Sequence, residues 1–262
     1  MHNYRTNENS RRKALRGHVI LNERDARRLR RHSWRRLVYL LAVAALIAGS
    51  VVLYRSPLLR VQDVQVVGAQ NADAQEIAML TGLKGHSMIN LSLAGAKERV
   101  AGMTLVKGVQ AERIFPNKVR ITITEREPIG YWHNGDRSYV IDREGIVLEG
   151  VAPADGGINI AETAPRDALQ PGQHVDTDAV LLADMLSREV PARLGLSISA
   201  FQFSPALGLQ LSTDAGYQVI FGDSQNAAYK LNLWQALEEQ IGRRYMSGRT
   251  LDLRFGDRPS LR

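Results

Sequence analysis

The sequence predicts an α+β protein in which a single transmembrane helix precedes two folded modules, and three observations support this class. Leu37–Tyr54 is a run of 18 residues without a charge. Helical and strand periodicities then follow in the order strand–helix–helix–strand–strand, within about 70 residues. From Pro128 onward short strands predominate and two longer helical stretches accompany them, which is typical of a mixed β-domain with packed helices.

Residues 1–36 form a basic tail. They hold 12 Lys and Arg against 3 acidic residues, a net of +9, so the other 226 residues carry −2 of the total of +7. The tail lacks an apolar core pattern, and we expect it to be disordered and cytoplasmic. Its stretch 24–36 is basic enough to attract nucleic-acid phosphates. It directly precedes the apolar run, however, where membrane topology and anionic lipids already explain arginine, so no nucleic-acid partner is expected.

The apolar run 37–54 predicts a transmembrane anchor. As a helix it spans roughly 27 Å, close to the hydrocarbon thickness of a bilayer, and Trp34, Tyr39 and Tyr54 lie near its ends, where aromatic rings favour the interface. A buried core helix would show a polar stripe, and a cleaved signal peptide has a shorter apolar core. Because positive charge stays in the cytoplasm, residues 55–262 are predicted to lie outside, as in a single-pass type II membrane protein. The space outside is the periplasm or the wall zone, with the periplasm favoured.

Residues 57–127 are the first predicted module. Its elements are a strand over 61–68, a short helix from Asp73 to Leu80, a helix over 93–100, and strands over 106–114 and 118–125. Asp73 and Glu76 have the spacing of a capping box at the start of the first helix. The strictest alternation of apolar and polar residues is found over 118–125. The module is predicted to end at Arg126-Glu127-Pro128, a hinge.

Residues 128–255 are the predicted β-domain. A hairpin over 139–148 turns at Asp142–Gly145, and residues 149–175 have the composition of a surface loop. The remaining elements are a helix from 176 or 177 to Val190 stopped by Pro191, strands over 198–203, 207–212 and 217–221, a helix over 227–241 capped by Asp223 or Ser224, a strand over 250–255, and a C-terminal tail over 256–262.

We find no constellation of residues that predicts catalysis. The chain has no cysteine, which excludes disulfides, thiolate metal sites and cysteine nucleophiles. Gly85–Ile89 begins like a nucleophile elbow, but Ile89 replaces the second glycine. His86, His133 and His174 lack a partner at metal-ligand spacing. The sequence therefore predicts no enzyme, no catalytic residue, no cofactor, no metal and no small-molecule substrate.

Several stretches resemble a known family of cell division proteins, FtsQ, called DivIB in Gram-positive bacteria. They are VQDVQVVGA, RIFPNKVRITITEREPIGYW at 113–132, YVIDREGIVLEG at 139–150, AAYKLNLW at 227–234 and TLDLRF at 250–255. The first module resembles a POTRA domain. The resemblance covers the chain from Leu37 to Phe255.

The resemblance implies a scaffold at the division septum. It implies binding of FtsB and FtsL outside the inner membrane, contact with further divisome proteins such as FtsK, FtsW and FtsI, and a role in localising and regulating septal peptidoglycan synthesis. Two other classes stay open, a POTRA-containing envelope transport or secretion component and a membrane-anchored cell-wall enzyme.

The resemblance also implies that the last strand of the β-domain receives a segment of FtsB by β-augmentation. In this sequence the implied partner-binding residues are Thr250, Leu251, Asp252, Leu253, Arg254 and Phe255. By alternation, Leu251, Leu253 and Phe255 are expected to face the core, and Thr250, Asp252 and Arg254 to face outward. No later strand is predicted, so the edge of this strand is expected to be free. Relatives often have an aromatic residue where Thr250 stands, so this sequence departs from the family pattern at that position.

Overall fold

A computed structural model describes residues 23–153, 155–164, 167–256 and 258–262 in two compact units, residues 1–59 and 60–262. The first unit contains helix α1, Glu23–Arg55, and a short 3₁₀ turn, Pro57–Leu59. Residues 1–22 of the predicted tail lie outside the described residues. The remainder of the tail is helical, contrary to the expected disorder. Seven of the residues 23–36 are arginine, a good helix former, and extending an existing helix requires no new nucleation.

Within the described residues, Trp34–Tyr54 is the one stretch of helix that is long and apolar enough to cross a membrane. All of its side chains are exposed. A helix of a soluble core would be packed against neighbours, so the exposure argues against the core-helix alternative and favours a single membrane anchor.

The second unit begins with the predicted strand–helix–helix–strand–strand module. Its elements are β1 Asp63–Val67, α2 Ala74–Leu80, α3 Leu93–Ala101, β2 Val106–Ile114 and β3 Lys118–Glu125. The strand order is β1-β3-β2, with β1 parallel and β2 antiparallel to β3. The fold class and the order of elements are confirmed. Ile77, Ala96, Val100, Val119 and Ile121 are buried in one core that joins the helices to the sheet.

Two helix caps begin the helices of this module. Asp73 accepts a hydrogen bond from the Gln75 N–H, as predicted for the start of α2, and Ser92 accepts one from the Gly95 N–H at the start of α3. A further carboxylate, which no local sequence pattern indicates, is Glu125 at the end of β3. It accepts backbone N–H bonds from residues 70–72 and ties the loop after β1 to the central strand.

The β-domain contains a nine-stranded sheet with helices packed against it. Its elements are β4 Pro128–Asn134, β5 Arg137–Asp142, β6 Val147–Leu148, β7 Ile158–Glu162, α4 Thr177–Leu194, β8 Ile198–Ser204, β9 Gly208–Thr213, β10 Gln218–Gly222, α5 Ala227–Ile241, α6 Arg243–Met246, β11 Thr250–Asp252 and β12 Ser260–Leu261. The strand order is β12-β11-β10-β9-β8-β7-β4-β5-β6. Leu182 and Leu186 of α4 and Trp234 of α5 are buried in the same core as Trp132 and Phe221 of the sheet.

Residues 149–175 do not form only the predicted surface loop, because they contain β7. This strand lies inside the sheet, parallel to both β4 and β8. Ile158 and Ile160 are buried, and the carboxylate of Glu162 accepts a hydrogen bond of 2.9 Å from the Trp132 indole. The loop-like composition on either side of this short segment hides its alternation. Strand β4, which the sequence analysis did not assign, pairs with it.

Two predicted helix ends are also wrong. Pro191 does not stop α4, which continues to Leu194 and ends at Gly195 in the left-handed conformation. Pro191 has no N–H to donate to the preceding turn, but the Gly195 N–H donates a hydrogen bond to the Pro191 carbonyl at 3.0 Å and caps the last turn. Helix α5 begins after Asn226 without a side-chain cap, because Asp223 binds the Gln225 N–H and the Lys230 ammonium instead.

Candidate docking edge

Strand β11 is held on its inner side by β10. The two are parallel, with Gln218 opposite Thr250, Val219 opposite Leu251 and Ile220 opposite Asp252. The Leu253 N–H continues the ladder to the Ile220 carbonyl at 2.9 Å. Leu251 and Leu253 are buried in the β-domain core, as their alternation predicted.

The outer side of β11 is not free, and the prediction of an unpaired terminal strand is wrong. The segment expected to be a tail returns as β12, antiparallel to β11, with Leu261 opposite Leu251. The Thr250 N–H donates to the Arg262 carbonyl at 2.9 Å, and the Arg262 N–H donates to the Thr250 carbonyl at 3.0 Å. A turn that includes Gly256, at φ +56°, reverses the chain between the strands. The edge of the sheet therefore lies one strand further out.

Asp252 lies on the polar face but is only 1% exposed, so it does not face solvent as expected. Its carboxylate accepts bonds of 3.0 and 2.8 Å from Arg254 Nε and Nη2, and one of 3.4 Å from Arg262 Nη2. The two arginine side chains cover it. The bond from Arg254 lowers the pKa of Asp252, which keeps the carboxylate ionised beneath them. Asp252 is thus a structural anchor for both strands.

Phe255 is 60% exposed and does not face the core. The strand ends at Asp252, and residues 254–256 form a turn, so the expected alternation does not reach Phe255. The guanidinium of Arg254 lies 5.0 Å from the centre of the Phe255 ring. We call the end of the sheet formed by β11, β12 and the turn that joins them the docking edge. An aromatic ring and a cation are therefore presented together at this edge.

The free backbone groups at this end of the sheet belong to Leu261. In an antiparallel pair, residues that exchange both hydrogen bonds alternate with residues whose N–H and C=O point away from the partner strand. Thr250 and Arg262 exchange both bonds, so the N–H and C=O of Leu261 point outward. At the opposite end of the sheet, β6 is covered, because Val147 exchanges hydrogen bonds with Gln173 and Gly172.

A cluster of ion pairs at the hinge between the two modules was missed by the sequence analysis. Arg126 Nη1 lies 2.7 Å from Asp142 and 2.6 Å from Glu144, and Lys107 Nζ of β2 lies 2.6 Å from Glu144. The bonds from Lys107 and Arg126 lower the pKa of Glu144 to about 2. We call these four residues the hinge cluster. It joins the stretch 113–132 to the hairpin within 139–150, two of the five stretches that resemble the FtsQ family.

Two further features singled out from the sequence have local contacts. His133 contacts Ser138 at 2.8 Å and Asn159 at 3.2 Å, both through ring nitrogens. Gly85–Ser87 lies beside the start of β1, with Ser87 bridged to Arg60, and does not form a strand-to-helix elbow. In the described residues, no group of three or more His, Asp or Glu side chains is placed to hold a metal ion.

Comparison with known proteins identifies both modules. Residues 59–126 match the POTRA domain of FtsQ type, and residues 130–254 match the C-terminal domain of cell division protein FtsQ/DivIB. Cell division protein FtsQ of Chloroflexus aggregans is 30% identical over 191 residues, 72% of this chain and 70% of the relative. FtsQ of Chloroflexus aurantiacus is 31% identical, and the match covers 66% of this chain and 64% of the relative. FtsQ of Mycobacteroides abscessus is 30% identical, and the match covers 80% of this chain and 65% of the relative. The chain thus spans about two thirds of the length of these relatives.

Proposed function

We propose, from the premise that this chain belongs to the FtsQ/DivIB family of cell division proteins, that it is a non-enzymatic scaffold of the division machinery. The exposed apolar helix supports a single-pass membrane anchor, with the basic N-terminal residues in the cytoplasm and residues 55–262 outside the inner membrane. Localisation to the division septum is part of the proposal.

The proposed partners are FtsB and FtsL, and the proposed mode is β-augmentation at the docking edge. The observation that carries this proposal is the outward N–H and C=O of Leu261 at the end of a nine-stranded sheet. An incoming strand would continue the sheet beyond β12. Thr250, Leu251, Asp252 and Leu253 would support β12 from within, since they are already paired or buried.

Among the predicted site residues, exposed Phe255 and half-buried Arg254 and Thr250 can still touch a partner through their side chains. Phe255 offers exposed apolar area, and Arg254 offers a guanidinium beside it. Arg254 already pairs with Asp252, so a partner carboxylate would share a guanidinium that is fixed in place. Through this docking the chain would help to localise and regulate septal peptidoglycan synthesis by FtsW and FtsI, with FtsK as a further divisome contact.

The outward N–H of Leu261 gives a sharp test. Leu261→Pro removes this donor without removing a hydrogen bond of the β11–β12 pair, and Leu261→Ala removes the same side chain while it keeps the donor. We expect Leu261→Pro to weaken co-purification of FtsB and FtsL from membranes at least several-fold relative to Leu261→Ala. Equal recovery with the two variants, both folded, would show that no strand is added at this edge.

A further inference from the structure

Three segments of the first module meet at one end of its sheet. The segment before β1 exchanges hydrogen bonds with the loop 84–90, where the Val61 N–H donates to the His86 carbonyl at 2.9 Å and the Gly85 N–H to the Val61 carbonyl at 2.8 Å. On its other side, the Gln62 N–H donates to the Asn117 carbonyl at 2.9 Å in the β2–β3 hairpin. The loop and the hairpin tip are thereby fixed on either side of residues 60–62.

These segments expose apolar and cationic side chains together. Phe115 at the hairpin tip is 63% exposed, and Ile89 in the loop is 47% exposed. Three cations are exposed nearby: Arg60 in the segment before β1, Lys84 in the loop 84–90, and Lys118 directly after the hairpin tip. We call these five residues the tip patch. Among the described residues only Asp63, 3.8 Å from Lys118, forms an ion pair with a cation of the patch.

The chain itself limits how far the tip patch can be from the bilayer. Five residues separate Tyr54, the last residue of the apolar span, from Arg60. A fully extended chain covers at most about 3.6 Å per residue, so over six residue steps Arg60 lies no more than about 22 Å from the end of the span. Aromatic and aliphatic side chains flanked by cations suit the zone of lipid headgroups, where rings are buried and cations meet phosphates.

We propose that the tip patch docks on the outer surface of the bilayer. Phe115 and Ile89 enter the headgroup zone, and Arg60, Lys84 and Lys118 contact lipid phosphates. The inference rests on the proposed membrane anchorage of α1. Strand β3 runs from Lys118 to Glu125, about 25 Å at the usual rise per residue. A docked tip would therefore hold the first module against the membrane and direct the hinge away from it.

The full chain in lipid nanodiscs can test this proposal, because the absence of cysteine allows single labels. We would place a fluorescent label at His86→Cys, beside the patch, at Ser50→Cys within the span, and at Leu181→Cys on α4 of the β-domain. Quenching by lipids that carry a spin label near the headgroup would be measured for each. We expect quenching at position 86 to exceed quenching at position 181 at least twofold.

Variants then separate the contributions within the patch. In the His86→Cys background, the pair Phe115→Ser and Ile89→Ser should reduce quenching to the level of position 181. Met79→Ser removes another large apolar side chain of the same module, 74% exposed, and should leave quenching unchanged. Nanodiscs without anionic lipid should show weaker quenching, and equal quenching would overturn the part assigned to the three cations.

The label at position 50 distinguishes the two ways of failing. If position 50 is not shielded by lipid, the proposed anchor itself is wrong. If position 50 is shielded but position 86 is quenched no more than position 181, the anchor stands and the tip patch does not dock. Shielding of position 86 that requires added division partners would make the patch a protein contact and would also overturn the proposal.

Discussion

Asp252 links three consecutive parts of the docking edge at the level of single side chains. It belongs to β11, and it binds Arg254 in the turn and Arg262 directly after β12. Alternation in the sequence correctly predicted that Leu251 and Leu253 are buried. It could not predict the burial of Asp252, because that depends on two arginines that fold over it, one of them ten residues away in the sequence.

Substitution of Asp252 should loosen this edge. Asp252→Asn keeps the size of the side chain but removes the charge that binds both guanidinium groups, and we expect a loss of ~1–3 kcal/mol in the free energy of unfolding at pH 7. Denaturant unfolding of the full chain in detergent would measure it. Asp214→Asn, in an exposed turn, is the control and should change stability by less than about 0.5 kcal/mol. Equal effects of the two variants would contradict the anchoring role.

The same carboxylate predicts a pH dependence. The pKa of Asp252 is lowered in the folded chain by the bond from Arg254, from an ordinary value of 3.8. Its stabilising contribution is therefore fully present above pH 3.8 and is lost as the pH falls through the lowered folded pKa. We expect the difference in unfolding free energy between the wild type and Asp252→Asn to be constant from pH 7 to about 5 and to shrink at lower pH. A difference that grows on acidification would contradict this assignment.

At the level of elements, regular periodicity was the signal that worked. Strands β2 and β3 have the predicted bounds, because β3 alternates strictly and a Phe-Pro-Asn turn separates the two. Strand β7 was missed, although it lies between β4 and β8. Only three of its five residues are buried, and a long loop-like segment surrounds it. Its position depends on parallel partners that are distant in the sequence, which local patterns do not report.

The continuation of α4 past Pro191 and the second strand at the docking edge have a similar cause. Buried Leu194 and the Gly195 cap favour one more turn than proline alone would allow. Strand β12 has only two residues, and its partner Leu251 lies ten residues before Leu261. Two residues are too few for a periodic signal, so the edge of the sheet could not be located from the sequence.

A glycine where two strands of the sheet approach each other gives a prediction at this scale. Gly208 begins β9 at φ +71°, and a Cβ atom there would lie 2.4 Å from the Gly222 carbonyl oxygen of β10. Gly150 has a similar φ of +75° but open space around it. Gly150→Ala should lower the free energy of unfolding by about 1 kcal/mol, because of the backbone conformation alone. Gly208→Ala should lower it by at least ~2 kcal/mol more, because the backbone at Gly222 must also move. Thermal unfolding of both variants would check this, and equal losses would show that the approach of the strands tolerates a methyl group.

For the whole molecule, the hinge cluster matters because its ion pairs connect the first module to the β-domain. Lys107 belongs to the first module, Arg126 to the connection, and Asp142 and Glu144 to the β-domain. The Arg126 N–H also donates to the Leu105 carbonyl at 2.8 Å, which fixes the start of the connection to the first module. Arg126 and Asp142 are largely buried, whereas Lys107 and Glu144 are half exposed, so salt screens the outer pair more than the inner one.

Removal of the shared carboxylate should therefore widen the range of orientations between the two modules. Glu144→Gln removes the charge that binds both Lys107 and Arg126, while the buried Arg126–Asp142 pair remains. Spin labels at Met79→Cys and Leu181→Cys, one on each module, would report the distance distribution in the full chain by pulsed electron resonance. We expect the distribution to broaden in Glu144→Gln and, to a smaller extent, in the wild type at high salt. Glu149→Gln, a nearby exposed glutamate, should leave it unchanged. A distance distribution in Glu144→Gln as narrow as in the wild type would show that the ion pairs of Glu144 contribute nothing measurable to the orientation. The orientation would then depend on packing and on the Arg126–Asp142 pair.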